Sequence, residues 1–345
     1  MGKRKSHHYI PRFYLRRFSI NYEGKSIGLY NHVRNIYIAN APIKHQACED
    51  FLYGSDDDVE AYLAKLENII GNFFNHWVDK KHFFLPPENT NGLTVLKRFI
   101  LYQLYRTPKA GLNVSTTLNN AFHMFANIYY PDKLNDIKDT TLVHKSPTLL
   151  SLLNSADKEY LLNFLSCKFI VNLTELSFIT SDSPVVLYNQ LMEEKGVYMW
   201  STAPVAKGLQ LFYPIHPRLM ICFYDPEIYD FGEGARECVG TESINDIHQL
   251  NVLQYLNSNA QLFFDETIDR DYNESLVKDY KKIKERERQI SEYYKTSDNR
   301  QFLFFSHEDA HIQLDLSFFK IKSDIEDFEV EICPLRHPSL ERKVQ

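Results

Sequence analysis

Residues 166–188 read SCKFIVNLTELSFITSDSPVVLY. The apolar and β-branched runs Phe169 to Leu173, Ser177 to Thr180 and Pro184 to Tyr188 are separated by polar and turn-forming residues, which is the pattern of short strands. Leu209 to Tyr213 and Leu219 to Tyr224 continue it, so an antiparallel sheet is predicted after Ser166. Upstream the period changes to that of a helix. Val59, Tyr62, Leu63, Leu66, Ile69, Ile70, Phe73, Phe74 and Trp77 recur at i, i+3, i+4, i+7, behind Asp56 to Asp58 as N-terminal caps. Glu60 and Glu67, seven apart, fall two turns apart on one edge of that apolar face. A second helix is expected from about Asn91 to Thr107, stopping at Pro108 and carrying Leu93, Leu96, Phe99, Ile100, Gln103 and Arg106 on one face. More helix is predicted at about 111–130 and 147–165. Before these helices, Ile27 to Tyr30 and Ile36 to Ile38 flank an Asn-bounded turn and read as a hairpin.

The predicted class is α+β: a helical N-terminal half, then a mainly antiparallel β-sheet with one or two packed helices. Residues 1–265 form a single α+β domain on this reading, helical to about 166. Residues 266–345 add a charged helix at Tyr272 to Tyr294 and strands at Gln301 to Phe305, Ile312 to Ile321 and Phe328 to Ile332, packed on the same sheet. Helix 243–257 precedes a strand at Gln261 to Phe264.

Five widely spaced cysteines, without a C-x-x-C pair, point to a reduced cytoplasmic protein with no disulfide framework. No apolar run approaches the roughly 20 residues of a membrane helix, so no membrane partner is expected. There is no P-loop and no G-x-G-x-x-G. The net charge is −6, yet it is unevenly placed. Met1 to Phe18, MGKRKSHHYIPRFYLRRF, holds six Lys or Arg and two His, with no acid before Glu23. Tyr9, Ile10, Phe13, Tyr14, Leu15 and Phe18 are interleaved with the cations, so the segment is expected to pack and to carry His8, Arg12 and Arg16 with it. It is the place to look for an anionic ligand.

His8-x-x-Pro11-Arg12-x-Tyr14-Leu15-x-x-Phe18 resembles the opening signature of the bacterial domain of unknown function 4238. Further pieces are similar: Glu60 and Glu67, Arg106-Thr107-Pro108, Phe178 to Val185, Phe212-Tyr213-Pro214, and an Asn251-containing helix before Ala260 to Phe263. The likeness runs from about Ser6 to about Asp265 and implies no established chemistry.

Several constellations invite a chemical reading. His8-Tyr9-Ile10-Pro11 matches the first element of the HNH nucleases, with His7 and Asn31-His32 as further pieces, or else simply shapes the start of a core segment. His307-Glu308-Asp309-Ala310-His311 spells the zincin H-E-x-x-H, but its strand-like flanks favour a polar turn, and Glu326, Glu329 and Glu331 offer no distinct third ligand. His45-x-x-Cys48 is one ligand pair without a second. Arg106 on an apolar helix face must be paired, with Glu67 first and Glu60 second, because a lone buried charge costs several kcal/mol. Asp182, between two strands, caps its turn or offers a carboxylate to a metal or to His8. Asn251 is a polar anchor or a site contact.

Three functions are compatible with these residues. The first is a metal-assisted phosphodiesterase, a nuclease acting on nucleic acid. Its catalytic set is His8, Arg12, Glu67, Arg106 and Asp182, with Glu67 and Asp182 holding a divalent metal, magnesium or manganese. The second is a non-catalytic nucleic-acid-binding module using the basic N-terminal segment. The third is a structural or partner-binding protein in which the same pairs are internal anchors.

Overall fold

A computed structural model describes residues 6–54, 58–79, 85–86, 91–232, 234, 236–295, 301–308, 310, 312–325 and 333–341, with backbone alone at 293–295, 301–307 and 324. Strand β1 (Ser6–His8), the one-turn helix α1 (Arg12–Leu15), β2 (Ser26–Asn31), β3 (Ile36–Pro42) and β4 (Cys48–Asp50) come first. Five helices follow: α2 (Asp58–Asp79), α3 (Asn91–Tyr105), α4 (Pro108–Tyr129), α5 (Leu134–Ile137) and α6 (Pro147–Asn154). Next come β5 (Ser166–Asn172), β6 (Thr180–Ser181), β7 (Val186–Tyr188), the short α7 (Gln190–Glu194), β8 (Gln210–His216), β9 (Leu219–Tyr224), β10 (Tyr229–Phe231) and β11 (Cys238–Thr241). Helices α8 (Ile244–Asn257) and α9 (Arg270–Lys284) flank β12 (Gln261–Phe264), and β13 (Arg288–Lys295), β14 (Gln301–Glu308) and β15 (Phe319–Ile321) end the series.

The expected division into a helical half and a sheet half is wrong. The chain is a mixed α/β protein with strands and helices in both halves. Of the two larger sheets one has the order β11-β5-β9-β8-β7 and the other β3-β2-β12-β6, beside the two-stranded pairs β1-β4, β10-β15 and β13-β14, so residues 26–42 from the first half complete a sheet with strands from the second. The physical reason lies in β2, where Ile27 to Tyr30 are buried in succession. A strand covered on both faces needs hydrogen-bond partners on both edges. It finds them in β3 on one side and in β12 on the other, with Leu29 opposite Phe263. The larger sheet is not wholly antiparallel either, because β11 adds to β5 in parallel.

Local boundaries differ too. The charged helix ends at Lys284, and the residues after it form β13, paired with β14. Of Ile312 to Ile321 only the last three residues are strand, and of Ser177 to Thr180 only Thr180 is. Pro108 does not merely stop a helix. It sits at the first position of α4, and the Thr107 side chain caps α4 by accepting from the Ala110 N–H at 3.2 Å. The expected caps Asp56 and Asp57 and the strand Phe328 to Ile332 lie outside the described residues.

Helix α2 buries Leu63, Leu66, Ile70, Phe74 and Trp77, and the Trp77 ring meets Phe169 of β5 edge-on at 5.1 Å. The N-terminal segment enters the same core. Ile10, Tyr14, Leu15 and Phe18 are fully buried, and Tyr14 stacks on Tyr213 at 5.1 Å. The Tyr14 hydroxyl lies 2.6 Å from Thr180 Oγ1 and donates to the Pro214 carbonyl at 2.6 Å. These contacts hold residues 6–18 between the helices and both sheets. No helix among the described residues is long and apolar enough to cross a membrane, and all five cysteines are free thiols.

Candidate functional site

A cleft of about 920 Å³ runs between the N-terminal segment and α2. The stripe that α2 turns to it is Glu60, Ala64, Glu67, Asn68, Gly71 and Asn72, continuing to Asn75 and Asp79, at the three- and four-residue spacing of one helical face. The opposite wall carries His8, Arg12, Arg16 and Arg17, with His216 from β8 at one end. The N-terminal wall is mainly cationic, with Glu23 as its one acid among the lining residues, and the α2 wall is made of amides and carboxylates. Gly71 faces the Phe13 ring, and a Cβ there would meet it at 3.7 Å, an ordinary van der Waals contact.

His8 ends β1, and Pro11 in extended conformation precedes α1, which begins at Arg12. Both side chains line the cleft, Arg12 exposed and His8 half-buried. The His8 Nδ1 is buried with no hydrogen-bond partner among the described residues. Burial lowers the pKa of His8 below 6.5, with Arg12 and Arg106 adding to the effect and the Gln46 backbone opposing it. Burial and the neighbouring arginines thus favour the neutral imidazole. Arg17 bonds the Asn75 side chain and lies 3.7 Å from Asp79. His216 stacks on Tyr22 at 5.6 Å, and burial together with Arg17 and Arg218 pushes its pKa down to about 4.

Beneath this floor lies Arg106, 1% exposed. Its Nη1 donates to Glu67 Oε1 at 2.7 Å, as expected from the two helix faces. Its Nε and Nη2 both donate to Gln103 Oε1, at 3.0 and 2.6 Å, and the Gln103 amide donates to the Tyr9 carbonyl at 3.0 Å. Burial works against the guanidinium charge, but Glu67 and Tyr53 more than offset it and hold the pKa above that of a free arginine. Gln103 and Arg106 thus tie three pieces of backbone together: the strand end carrying His8, α3, and α2.

Asp182 is elsewhere. It is 3% exposed, does not line the cleft, and its carboxylate accepts the N–H groups of Asn259, Ala260 and Gln261 at 2.7, 2.7 and 2.9 Å. Burial raises its pKa despite those three donors. It pins the start of β12 and is not among the residues that line the cleft with Glu67. No cluster of three or more His, Cys, Asp or Glu placed to hold a metal is found among the described residues.

The other constellations resolve into structure. His7 is buried, stacked on Tyr53 at 5.5 Å, with its Nδ1 accepting from the Tyr53 N–H. Asn31 caps its own turn by accepting from the Arg34 N–H, and His32 lies 2.9 Å from Ser258 Oγ. The HNH pieces therefore do not assemble around His8. Of this stretch, His307 and Glu308 lie in strand β14, opposite Gln289 and Arg288, and not in a turn. Asp309 and His311, like Glu326, Glu329 and Glu331, lie outside the described residues. Asn251 is an anchor: it accepts from the Ile179 N–H and donates to the Ser177 carbonyl, both at 2.9 Å.

Sequence reading missed the amide stripe Asn68, Asn72 and Asn75, although its helical spacing from Glu60 and Glu67 was available. It also missed His216, which no local pattern connects to residues 8–17.

The family described as protein of unknown function, DUF4238, matches residues 6–267, and the chain belongs to it. No curated protein and no solved structure matches.

Proposed function

We propose that this family member is a phosphodiesterase acting on nucleic acid, with the cleft between the N-terminal segment and α2 as its site. The supporting observation is an imidazole with an unpartnered, buried ring nitrogen, set on a wall of arginines across the cleft from Glu67. Arginines take phosphate oxygens well, as planar multiple donors. Amides and carboxylates across the cleft suit base edges and sugar hydroxyls. In the reaction water attacks phosphorus, its proton passes to His8, the P–O ester bond breaks, and the leaving oxygen takes up a proton from solvent water. Arg12 and Arg16 stabilise the charge on the non-bridging oxygens, and Arg106 with Gln103 holds Glu67 and the His8 backbone in place. No step is routed through a metal. The free thiols accord with a reducing compartment such as the cytoplasm.

The binding-module reading keeps the same basic wall. It is favoured by one observation: Glu67 and Asp182 are both already engaged by protein donors.

Purified protein is incubated with single- and double-stranded RNA and DNA, with magnesium, manganese or EDTA, beside His8→Ala and Arg12→Ala. The expected result is cleavage by wild type, lowered on the order of 100-fold or more in His8→Ala with binding retained. Arg12→Ala weakens binding and lowers its log–log salt slope by about one. Salt-sensitive binding without cleavage in any arm would establish the binding module instead. Neither binding nor cleavage would leave the structural reading.

A further inference from the structure

Where His216 enters the cleft, the chain makes a tight turn from Ser19 to Gly24. Three of its residues hold positive φ: Asn21 at 51°, Tyr22 at 56° and Gly24 at 69°. That region is unfavourable for an aromatic residue, and here fixed bonds hold the turn in it. The buried Ser19 accepts the Tyr22 N–H on its carbonyl at 3.1 Å and the Gly24 N–H on its Oγ at 2.8 Å, and Glu266 accepts the Asn21 N–H at 2.9 Å. The turn presents Tyr22 to the cleft. One face of its ring lies on His216, with 7° between the two planes. Tyr22 is nevertheless 58% exposed, so that exposure belongs to the other face and the edge of the ring. Arg16, exposed on the same cleft, runs beside the turn, its Cγ 3.5 Å from where a Gly24 Cβ would stand.

We infer that the Tyr22 ring is a stacking platform for an unpaired base, and that the cleft takes a single strand of nucleic acid rather than a duplex. The inference rests on the reading of the cleft as a nucleic-acid site and names its substrate class. A base has two flat faces, and an aromatic ring already fixed in an exposed position stacks on one of them with little loss of conformational freedom. In a duplex both faces of an interior base are covered by its neighbours, so such a base lies on Tyr22 only when it is unpaired. The cations suit the same ligand, since Arg12 and Arg16 take the phosphates of the strand. Glu23 and Glu266 offer a phosphate nothing, so what the turn contributes is the ring.

The probe is a fluorescein-labelled oligoadenylate about twelve nucleotides long, as DNA and as RNA. Its anisotropy is followed on titration with the full chain carrying His8→Ala, which is expected to bind without cutting. Two comparisons separate base from phosphate: the same strand paired with its complement, and an abasic DNA strand of equal length. The free strand is expected to bind at least about tenfold more tightly than either. Adding Tyr22→Asn is expected to weaken the free strand by about five- to hundredfold and to leave the duplex and the abasic strand unchanged. Tyr22→Phe, which keeps the ring, is expected to stay within about threefold of the parent. Asparagine adopts the left-handed backbone readily, so the turn is kept, and Tyr22→Ala is the second deletion should the first fail to fold. The inference alone is overturned by equal binding of free strand and duplex, by a Tyr22→Asn variant with unaltered affinity for the free strand, or by one that weakens the abasic strand equally. In those cases a loss of binding in Arg12→Ala keeps the cleft as a nucleic-acid site. Absence of binding by every probe overturns both readings.

Discussion

Replacing Arg106 with alanine removes the centre of the lattice beneath the cleft. The guanidinium is 1% exposed, its partner Glu67 is 25% exposed, and three of its N–H groups are engaged. Deleting one member of a buried pair costs about 3–5 kcal/mol. Glu67 can turn partly toward water, so the lower end applies. Gln103 Oε1 cannot, and losing both its donors accounts for about 1–3 kcal/mol of that cost. An unfolding entropy of about 2.1 cal/mol/K per residue over 345 residues makes about 0.7 kcal/mol/K, so a loss of about 3 kcal/mol lowers the Tm by about 4 °C. Thermal and urea unfolding measure it directly. Arg106→Lys should fall between wild type and Arg106→Ala, because an ammonium cannot span Gln103 and Glu67 in the same fork. Glu67→Gln, which keeps an acceptor for Nη1, should cost about 1 kcal/mol. An Arg106→Ala melt within about 1 °C of wild type, against the roughly 4 °C expected, would refute the claim that this pair anchors the segment bearing His8.

Asp182→Ala should lower stability by on the order of 3 kcal/mol by stranding three backbone N–H groups, with Asp182→Asn losing less. If Asp182→Ala instead melts like wild type and abolishes cleavage, the carboxylate has a direct chemical role. Stability should also fall with acid through His216. Its pKa is about 4 in the folded chain against 6.5 as its ordinary value, so the unfolded chain takes up the proton first. The contribution is fully present above pH 6.5 and lost as pH drops toward 4; His216→Asn should flatten the urea midpoint against pH over that window, and parallel profiles would contradict the assignment.

Much of the site was legible in the chain because helical spacing is a local property. The period of α2 placed Glu60 and Glu67 on one edge of its apolar face, and the period of α3 placed Gln103 and Arg106 together. A buried arginine then demanded a carboxylate, and Glu67 supplies it at 2.7 Å. Interleaved aromatics likewise foretold that residues 6–18 would pack, and Tyr14 and Phe18 are fully buried. Asp182 was misplaced for a corresponding reason. A strand-end Asp has the same local signature whether it faces a ligand or accepts backbone N–H groups, and its three donors lie 77 to 79 residues away.

What the sequence determined by itself was therefore what the backbone period and the cost of burying charge decide locally: the helices, most strand cores, the packed basic segment and the Glu67–Arg106 pair. Only the tertiary structure decided how the strands combine. β2 and β12 are more than 200 residues apart on the order of their numbering, yet they pair with Leu29 opposite Phe263. Strand pairing satisfies backbone hydrogen bonds that carry no side-chain label, so the partner of a buried strand is chosen by the packing of the whole chain. The same holds for His216, brought to the cleft by β8.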